Sequence, residues 1–270
     1  MPRLELRADD HLHSPELKRE YTLANFQEVS KSYDFLTRAL SFGRDQSWKR
    51  RLIKALPPMT APVCLDLACG TGDLAFAVAD RYPDATVVGL DLTPNMIAAA
   101  NERNTHDNVR FEIGDMNQLG RADNSIDLIT GGYALRNAPS LPVALDEIYR
   151  VLKPGGTAAF LDFSKSTNPF LQWLSLKILY LLGAFWGLVL HRQTEIYTYI
   201  SKSLKLYPDR DSLHRSLADA GFKVKMSERF FIGTLEIFVL TKSPKPIETA
   251  ATASSDETAS AGEVAQAVLA

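Results

Sequence analysis

Through the middle of the chain, short apolar runs ending in glycine or a carboxylate alternate with stretches of helical spacing. Val63-Cys64-Leu65-Asp66-Leu67-Ala68 leads into glycines and predicts a buried strand. Residues 73–81 have helical spacing, and residues 86–91 predict a second strand. Thr93 as N-cap with Pro94 behind it predicts a helix to about residue 102. Residues 109–113, 126–130 and 157–163 predict three more strands. Between the last two, residues 141–152 read as a helix stopped by Lys153-Pro154-Gly155-Gly156. Alternation of this kind predicts an α/β fold with a mostly parallel sheet.

The flanks differ. Residues 24–56 predict helices broken near Ser41-Phe42-Gly43, and residues 170–190, 195–207 and 211–220 predict three further helices. Residues 222–228 and 231–242 predict two final strands. The expected architecture is a doubly wound sheet with an N-terminal helical cap and a helical insertion before the last two strands. The expected organisation is a flexible arm (1–23), the cap (24–58), the sheet domain (59–245, insertion about 168–208) and a disordered tail (246–270). The tail is rich in Ala, Ser, Thr and Glu and has no aromatic residue.

The first strand runs into Asp66-Leu67-Ala68-Cys69-Gly70-Thr71-Gly72-Asp73. Gly70 and Gly72 allow a tight turn and close approach of a ligand, as at the carboxyl end of an open α/β sheet. Asp91 ends the second strand, at the offset of a ribose-binding acid. Ala75 in the third glycine place still permits a dinucleotide. Asp66 suits a cationic ligand better than a pyrophosphate, because like charges repel. A sulfonium with an amino-acid moiety meets that requirement. After the third strand, Asp115 could bond an adenine amino group or merely cap a turn, and Met116 could pack on the ring.

Charge and composition narrow the class. Thirty basic and 32 acidic residues leave a formal net charge of −2, which argues against a nucleic-acid binder. Cys64 and Cys69 make neither a disulfide scaffold nor a metal site, so a reducing, cytoplasmic setting is expected. The first 20 residues are polar and resemble no secretory signal.

The loop, Asp91 and Gly114-Asp115 together resemble the class I S-adenosylmethionine-dependent methyltransferases. Further motifs resemble the quinone-ring C-methyltransferases of menaquinone and ubiquinone biosynthesis. They are Tyr33-Asp34, Ser41-Phe42-Gly43, Trp48-Lys49-Arg50, Leu135-Arg136-Asn137, residues 150–156, residues 161–165, and residues 197–203 with Tyr207-Pro208. The chain departs from the family in having Gly132-Tyr133-Ala134 before that Leu-Arg-Asn, and Asp162 where Glu is usual. The resemblance implies a Rossmann-like methyltransferase sheet and S-adenosyl-L-methionine as cofactor. It implies that Asp66, Gly70, Thr71, Gly72, Asp91, Asp115, Met116 and Gly132 hold the cofactor. It puts Arg136 and Asn137 beside the reacting ring, the alternatives being an ion pair for Arg136 and a helix cap for Asn137. As substrate-side residues, Tyr133 and Asp162 are candidates for a proton relay, Asp162 otherwise capping a turn, and Tyr33 for a lid over the substrate or simple helix packing.

The implied reaction is C-methylation of a demethylated prenyl quinol, demethylmenaquinol first. The alternative is O- or N-methylation of another lipophilic molecule. A guanidinium keeps its proton at working pH, so Arg136 suits oxyanion stabilisation or holding a water rather than direct proton abstraction. The implied partners are the quinol, with peripheral membrane contact and a homodimer left open, and no nucleic acid. The apolar run 170–190 has the length of a membrane span, about 20 residues. A single crossing would strand the last two strands on the wrong side. Three readings remain: a buried helix of the insertion, a pocket wall for an isoprenoid tail, and an interfacial helix.

Overall fold

In the computed structural model, which describes residues 4–244, five parallel strands carry the alternation seen in the sequence. They are β1 (Val63–Leu67), β2 (Thr86–Asp91), β3 (Val109–Ile113), β4 (Ile126–Gly132) and β5 (Leu152–Phe163). An antiparallel hairpin, β6 (Phe222–Phe230) and β7 (Leu235–Lys242), completes the order β3-β2-β1-β4-β5-β7-β6. The helices are α1 (Ala8–His11), α2 (Pro15–Val29), α3 (Tyr33–Leu40), α4 (Asp45–Ala55), α5 (Asp73–Arg81), α6 (Pro94–Arg103), α7 (Leu141–Val151), α8 (Pro169–His191), α9 (Glu195–Leu206) and α10 (Arg210–Asp219).

Alternate residues of the strands feed two cores, because successive side chains point to opposite faces. Leu65, Leu67 and Ile129 pack with Ala144, Ile148, Leu213 and Leu217 on one face. Cys64, Val87 and Leu128 pack with Leu52, Ala75, Val78 and Ala100 on the other. A parallel sheet needs both faces covered. The strand order turns back between β1 and β4, which opens a crevice at their carboxyl ends.

Four strand limits differ from the sequence reading by two residues or more, β6 running on to Phe230. β4 runs on through Gly131 and Gly132, which pair with Phe160 and Leu161. A Cβ at Gly131 would lie 2.9 Å from the Phe160 ring, so glycine permits that pairing. β5 starts at Leu152, which pairs with Ile126 before the bulge, so the helix-stopping residues 153–156 lie inside the strand. β7 starts only at Leu235, because residues 231–233 form a 3₁₀ turn with Phe231 at φ 51°.

The arm expected to be flexible is helical within the described residues. Ser14 caps α2 by accepting from the Leu17 N–H, and Pro15 occupies its first turn. Ala8 and Tyr21 are fully buried, the Tyr21 ring 5.1 Å from that of Tyr199. The buried positions of α2 are Tyr21, Thr22, Asn25 and Val29, half of them polar, so no apolar stripe announces the helix. The expected disordered tail lies outside the described residues.

The reading of residues 170–190 as a buried helix is overturned. Only 11% of the most apolar stretch of α8 is buried. Phe170, Trp173, Leu181, Phe185 and Leu188 are exposed, while Gly183 and Gly187 are buried. Those glycines let α8 cross close to the start of α9: a Cβ at Gly183 would sit 2.5 Å from the Tyr197 carbonyl oxygen. Gly183→Leu is therefore expected to destabilise the fold by about 1–3 kcal/mol. Urea unfolding measures this, and an unchanged midpoint would contradict the close crossing.

Candidate active site

The loop after β1 is bent by residues in the left-handed region: Ala68 at φ 48°, Gly70 at 55° and Gly72 at 91°. Gly72 is also a packing glycine, since its Cβ would lie 2.8 Å from the Phe111 ring. The turn lifts Gly70 beside Asp91 at the end of β2. Asp91 Oδ2 accepts from the Gly70 N–H at 2.9 Å and Oδ1 from the Thr93 N–H at 2.8 Å. The carboxylate is 8% exposed, and burial raises its pKa. Each oxygen keeps a lone pair for a ligand hydroxyl, so the arrangement suits a vicinal diol such as ribose.

A cleft of about 590 Å³ opens over this loop. Gly70, Asp91, Asp115, Met116 and Gly132 line it, together with Leu90 and Met96. Thr22 and Phe26 of α2 and Tyr33 of α3 line it from the cap. Asp115 accepts from the Arg19 Nε at 2.8 Å and from the Asn117 N–H at 2.9 Å. It thus caps a turn, the alternative held open for it, while also facing the cleft. The Arg19 pair fastens α2 across that end.

Three expected cofactor residues do not line the cleft. Asp66 is 1% exposed and accepts from Thr130 Oγ1 at 2.7 Å, and burial pushes its pKa up to about 7. Its Oδ2 is buried without a hydrogen-bond partner. Thr71 spends its hydroxyl on Asp34 Oδ1 at 2.8 Å, joining the loop to α3. Gly72 faces the Phe76 and Phe111 rings. These residues shape the loop, while Gly70 and Asp91 line the cleft.

Beyond Tyr33, Tyr133 and Asn137 lies a chamber of about 850 Å³ that shares these residues with the cleft. Val29, Leu36, Leu40, Trp48, Phe163, Leu179 and Ile196 make it largely apolar. Arg136 and Asn137 supply polar groups from a 3₁₀ turn after β4. The Arg136 guanidinium lies 5.0 Å from the Phe163 ring centre and 5.4 Å from that of Tyr199, and it donates to Ser203 Oγ. Asn137 Oδ1 accepts from the Tyr199 hydroxyl at 3.0 Å, and its Nδ2 donates to the Tyr133 carbonyl at 3.0 Å. Tyr133 sits at φ 57°, a strained conformation for a bulky residue. Its hydroxyl donates to Asp45 Oδ1 at 2.8 Å.

Asp162, expected to serve the substrate or to cap a turn, lines neither cavity. It is fully buried, and its oxygens accept from the N–H groups of Leu135, Arg136 and Phe163. Its role is to hold the 135–137 turn, because a carboxylate at a strand end can collect free backbone donors. Tyr33 is walled in, and burial pushes its pKa up to about 12.

An ion network locks the cap against the loop. Lys49 pairs with Asp45 at 2.7 Å and Asp73 at 3.0 Å, and Arg103 pairs with Asp73 at 2.6 Å. Burial disfavours the Asp73 carboxylate, yet Lys49 and Arg103 outweigh it and hold its pKa at about 2. Its folded-state pKa is depressed, so its stabilising contribution is present above the ordinary value near about 4 and lost as pH falls toward 2. Trp48 fluorescence is expected to report loosening of the cap in that window. The same titration in Asp73→Asn should lose that component.

The sequence reading missed Arg19 and Thr22, which sit on the part of α2 it took for a flexible arm, and Phe26, which it placed in the helical cap without a role. It noted residues 197–203 without assigning roles. Tyr199 and Ser203, four apart on one helix face, brace Asn137 and Arg136, a pairing that spacing alone could have suggested.

Comparison with known proteins agrees with this geometry. A sequence profile of the ubiE/COQ5 methyltransferase family matches residues 15–242. The demethylmenaquinone methyltransferase of Symbiobacterium thermophilum is 34% identical over 239 residues, covering 85% of this chain and 95% of that protein. The Staphylococcus aureus protein of the same name is 35% identical over 211 residues, covering 77% and 87%. A SAM-dependent methyltransferase structure from Aquifex aeolicus superposes with a TM-score of 0.56 at 17% identity, over 80% of this chain and 98% of that one. With the profile spanning both the cleft and the chamber, the chain belongs to the ubiE/COQ5 methyltransferase family.

Proposed function

We propose that the protein transfers a methyl group from S-adenosyl-L-methionine to a ring carbon of a demethylated prenyl quinol, with demethylmenaquinol as the acceptor. The carrying observation is the junction of a diol-binding cleft with an apolar chamber at Tyr33, Tyr133 and Asn137, with Arg136 in the chamber wall. The residues present fit the cofactor. Asp91 offers two acceptor oxygens, Gly70 allows close approach, and Leu90, Met96 and Met116 offer an apolar bed.

When bound, the cofactor supplies an electrophilic methyl on a sulfonium. The chamber walls exclude bulk water from the ring and align it, which accounts for much of the rate in such a transfer. Arg136 stabilises the phenolate formed when a ring hydroxyl loses its proton. The adjacent ring carbon would take the methyl that the bound cofactor supplies, with the C–S bonding pair left on sulfur, and the hydroxyl and ring protons would leave through a water held by Arg136. Asn137, fixed at both ends of its amide, orients the ring oxygen with its remaining N–H. Incubation of the purified protein with demethylmenaquinol and methyl-labelled cofactor tests the reading. Label on the naphthalene ring carbon is expected. Label on oxygen, or on another lipophilic acceptor alone, sinks it.

The reading extends to α8, whose apolar face we assign to the surface of a bilayer where such a quinol resides. Residues 163–194 contain no Asp or Glu, while Lys165, Lys177 and Arg192 carry positive charge. An exposed apolar helix with basic flanks favours an anionic lipid surface. Leu179 of α8 also lines the chamber, so the helix touches both. Cys64 and Cys69, free and buried, suit a reducing cytoplasmic side. Flotation with anionic vesicles is expected, and Phe170, Trp173 and Phe185 changed together to Ser should abolish it. A protein that stays at the bottom of the gradient and sediments as a dimer places a second copy on this face instead.

A further inference from the structure

Arg136 also lines a separate cavity of about 640 Å³, between the α1–α2 turn, the 135–137 turn and the end of α9. The polar lining of this cavity is one-sided. Lys18, Arg136 and Tyr207 line it with His13, Ser14 and Ser203, and no Asp or Glu is among its lining residues. Arg136 is 3% exposed and Tyr207 is 5% exposed. Among the described residues, neither the Arg136 Nε nor the Tyr207 hydroxyl has a hydrogen-bond partner. Buried donors without an acceptor are costly and call for one. Lys18 spends one N–H on the Ala138 carbonyl and keeps two.

The acid whose charge acts on Lys18 is Asp162, fully buried, its oxygens already engaged by three backbone N–H groups. It offsets one of the two cations, so the cavity wall keeps about one unit of positive charge. Burial, and then the Arg136 charge, pull the Lys18 pKa down to about 8, as expected for a cation short of counter-charge. The remaining lining includes Leu12, Leu135, Leu141 and Leu206.

We infer that this cavity binds a small organic monocarboxylate, its anion against Arg136, Lys18 and Tyr207 and its apolar body against Leu12, Leu141 and Leu206. One residual positive charge matches a monoanion, and the leucines disfavour a hydrated inorganic ion. Because the same guanidinium serves the quinol chamber in the proposed reaction, occupancy on one side weakens phenolate stabilisation on the other. Binding energies linked in this way are reciprocal.

The test is titration calorimetry of the whole chain, without methyl donor or quinol, using hexanoate, hexanol and inorganic phosphate as probes. Its outcome is thus independent of the methyl-transfer reading. Hexanoate is expected to bind saturably and at least tenfold more tightly than hexanol or phosphate. Tyr207→Phe, which removes only an unpartnered hydroxyl, and Lys18→Met should each weaken hexanoate about fivefold or more. Lys18→Arg should restore binding where Lys18→Met reduces it. Equal affinity for hexanol marks an apolar hole and overturns the proposal, as does phosphate binding as tightly as hexanoate. It is likewise overturned by variants that bind as the wild type does, or by no saturable binding.

Discussion

Replacing Arg136 with alanine is expected to cut turnover by about two to three orders of magnitude, the range seen when a preorganised oxyanion donor is lost. The side chain is held between Phe163 and Tyr199 and anchored on Ser203, so its charge needs no reorganisation when a phenolate forms. Cofactor affinity should change by less than about threefold, because Arg136 does not line the cofactor cleft. Ser203→Ala separates positioning from charge. It keeps the guanidinium but frees it from its anchor, and a loss of about fivefold to tenfold is expected, with cofactor binding intact. Calorimetric cofactor binding and single-turnover methylation check both variants. Near wild-type rates in Arg136→Ala would remove the residue from the chemistry. Arg136→Lys is expected to recover little, since an ammonium cannot reproduce a planar fork stacked between two rings.

The central sheet was legible because its signals are local. An apolar run, a glycine loop and a terminal acid recur within a few residues, and Asp91 is recognisable by its distance from Gly70. The same logic failed where burial is shared between distant segments. Tyr21 is buried by Tyr199, which lies far along the chain, so the first part of α2, up to residue 23, looked like a polar arm. α8 looked like a core helix because hydropathy does not tell an apolar helix that faces the core from one that faces out. Its two glycines mark the single buried edge, a signal readable only once α9 lies against it. Among site residues, Gly70, Asp91, Met116, Arg136 and Asn137 sit at cavity walls. Asp66, Thr71, Gly72 and Asp162 lie behind those walls, because a motif records which residues a loop needs without separating those that touch a ligand from those that hold the loop. Asp162 shows the difference: three backbone donors on one carboxylate make it a brace.

Asp91→Ala is expected to weaken cofactor binding by about a hundredfold or more. Two hydrogen bonds to a charged acceptor are each worth about 1.5–3 kcal/mol, and a tenfold change in affinity is about 1.4 kcal/mol. The substitution does more than remove ligand contacts. Gly70 and Thr93 would be left with buried, unpaired N–H groups, so the loop that presents the cleft would also relax and the melting temperature should fall. Asp91→Asn keeps the size of the side chain but turns an amide donor toward one of those N–H groups, so it should rescue stability only in part and affinity hardly at all. In the wild type, burial raises the Asp91 pKa, and the ligand hydroxyls prefer the charged form. Cofactor affinity should therefore start to fall at a pH above the ordinary carboxylate range as the solution is acidified, and that component should vanish in Asp91→Asn. Calorimetric titration of the methyl donor across the pH range reads both effects. A dissociation constant within about threefold of wild type in Asp91→Ala would mean that the diol contact is made elsewhere in the cleft.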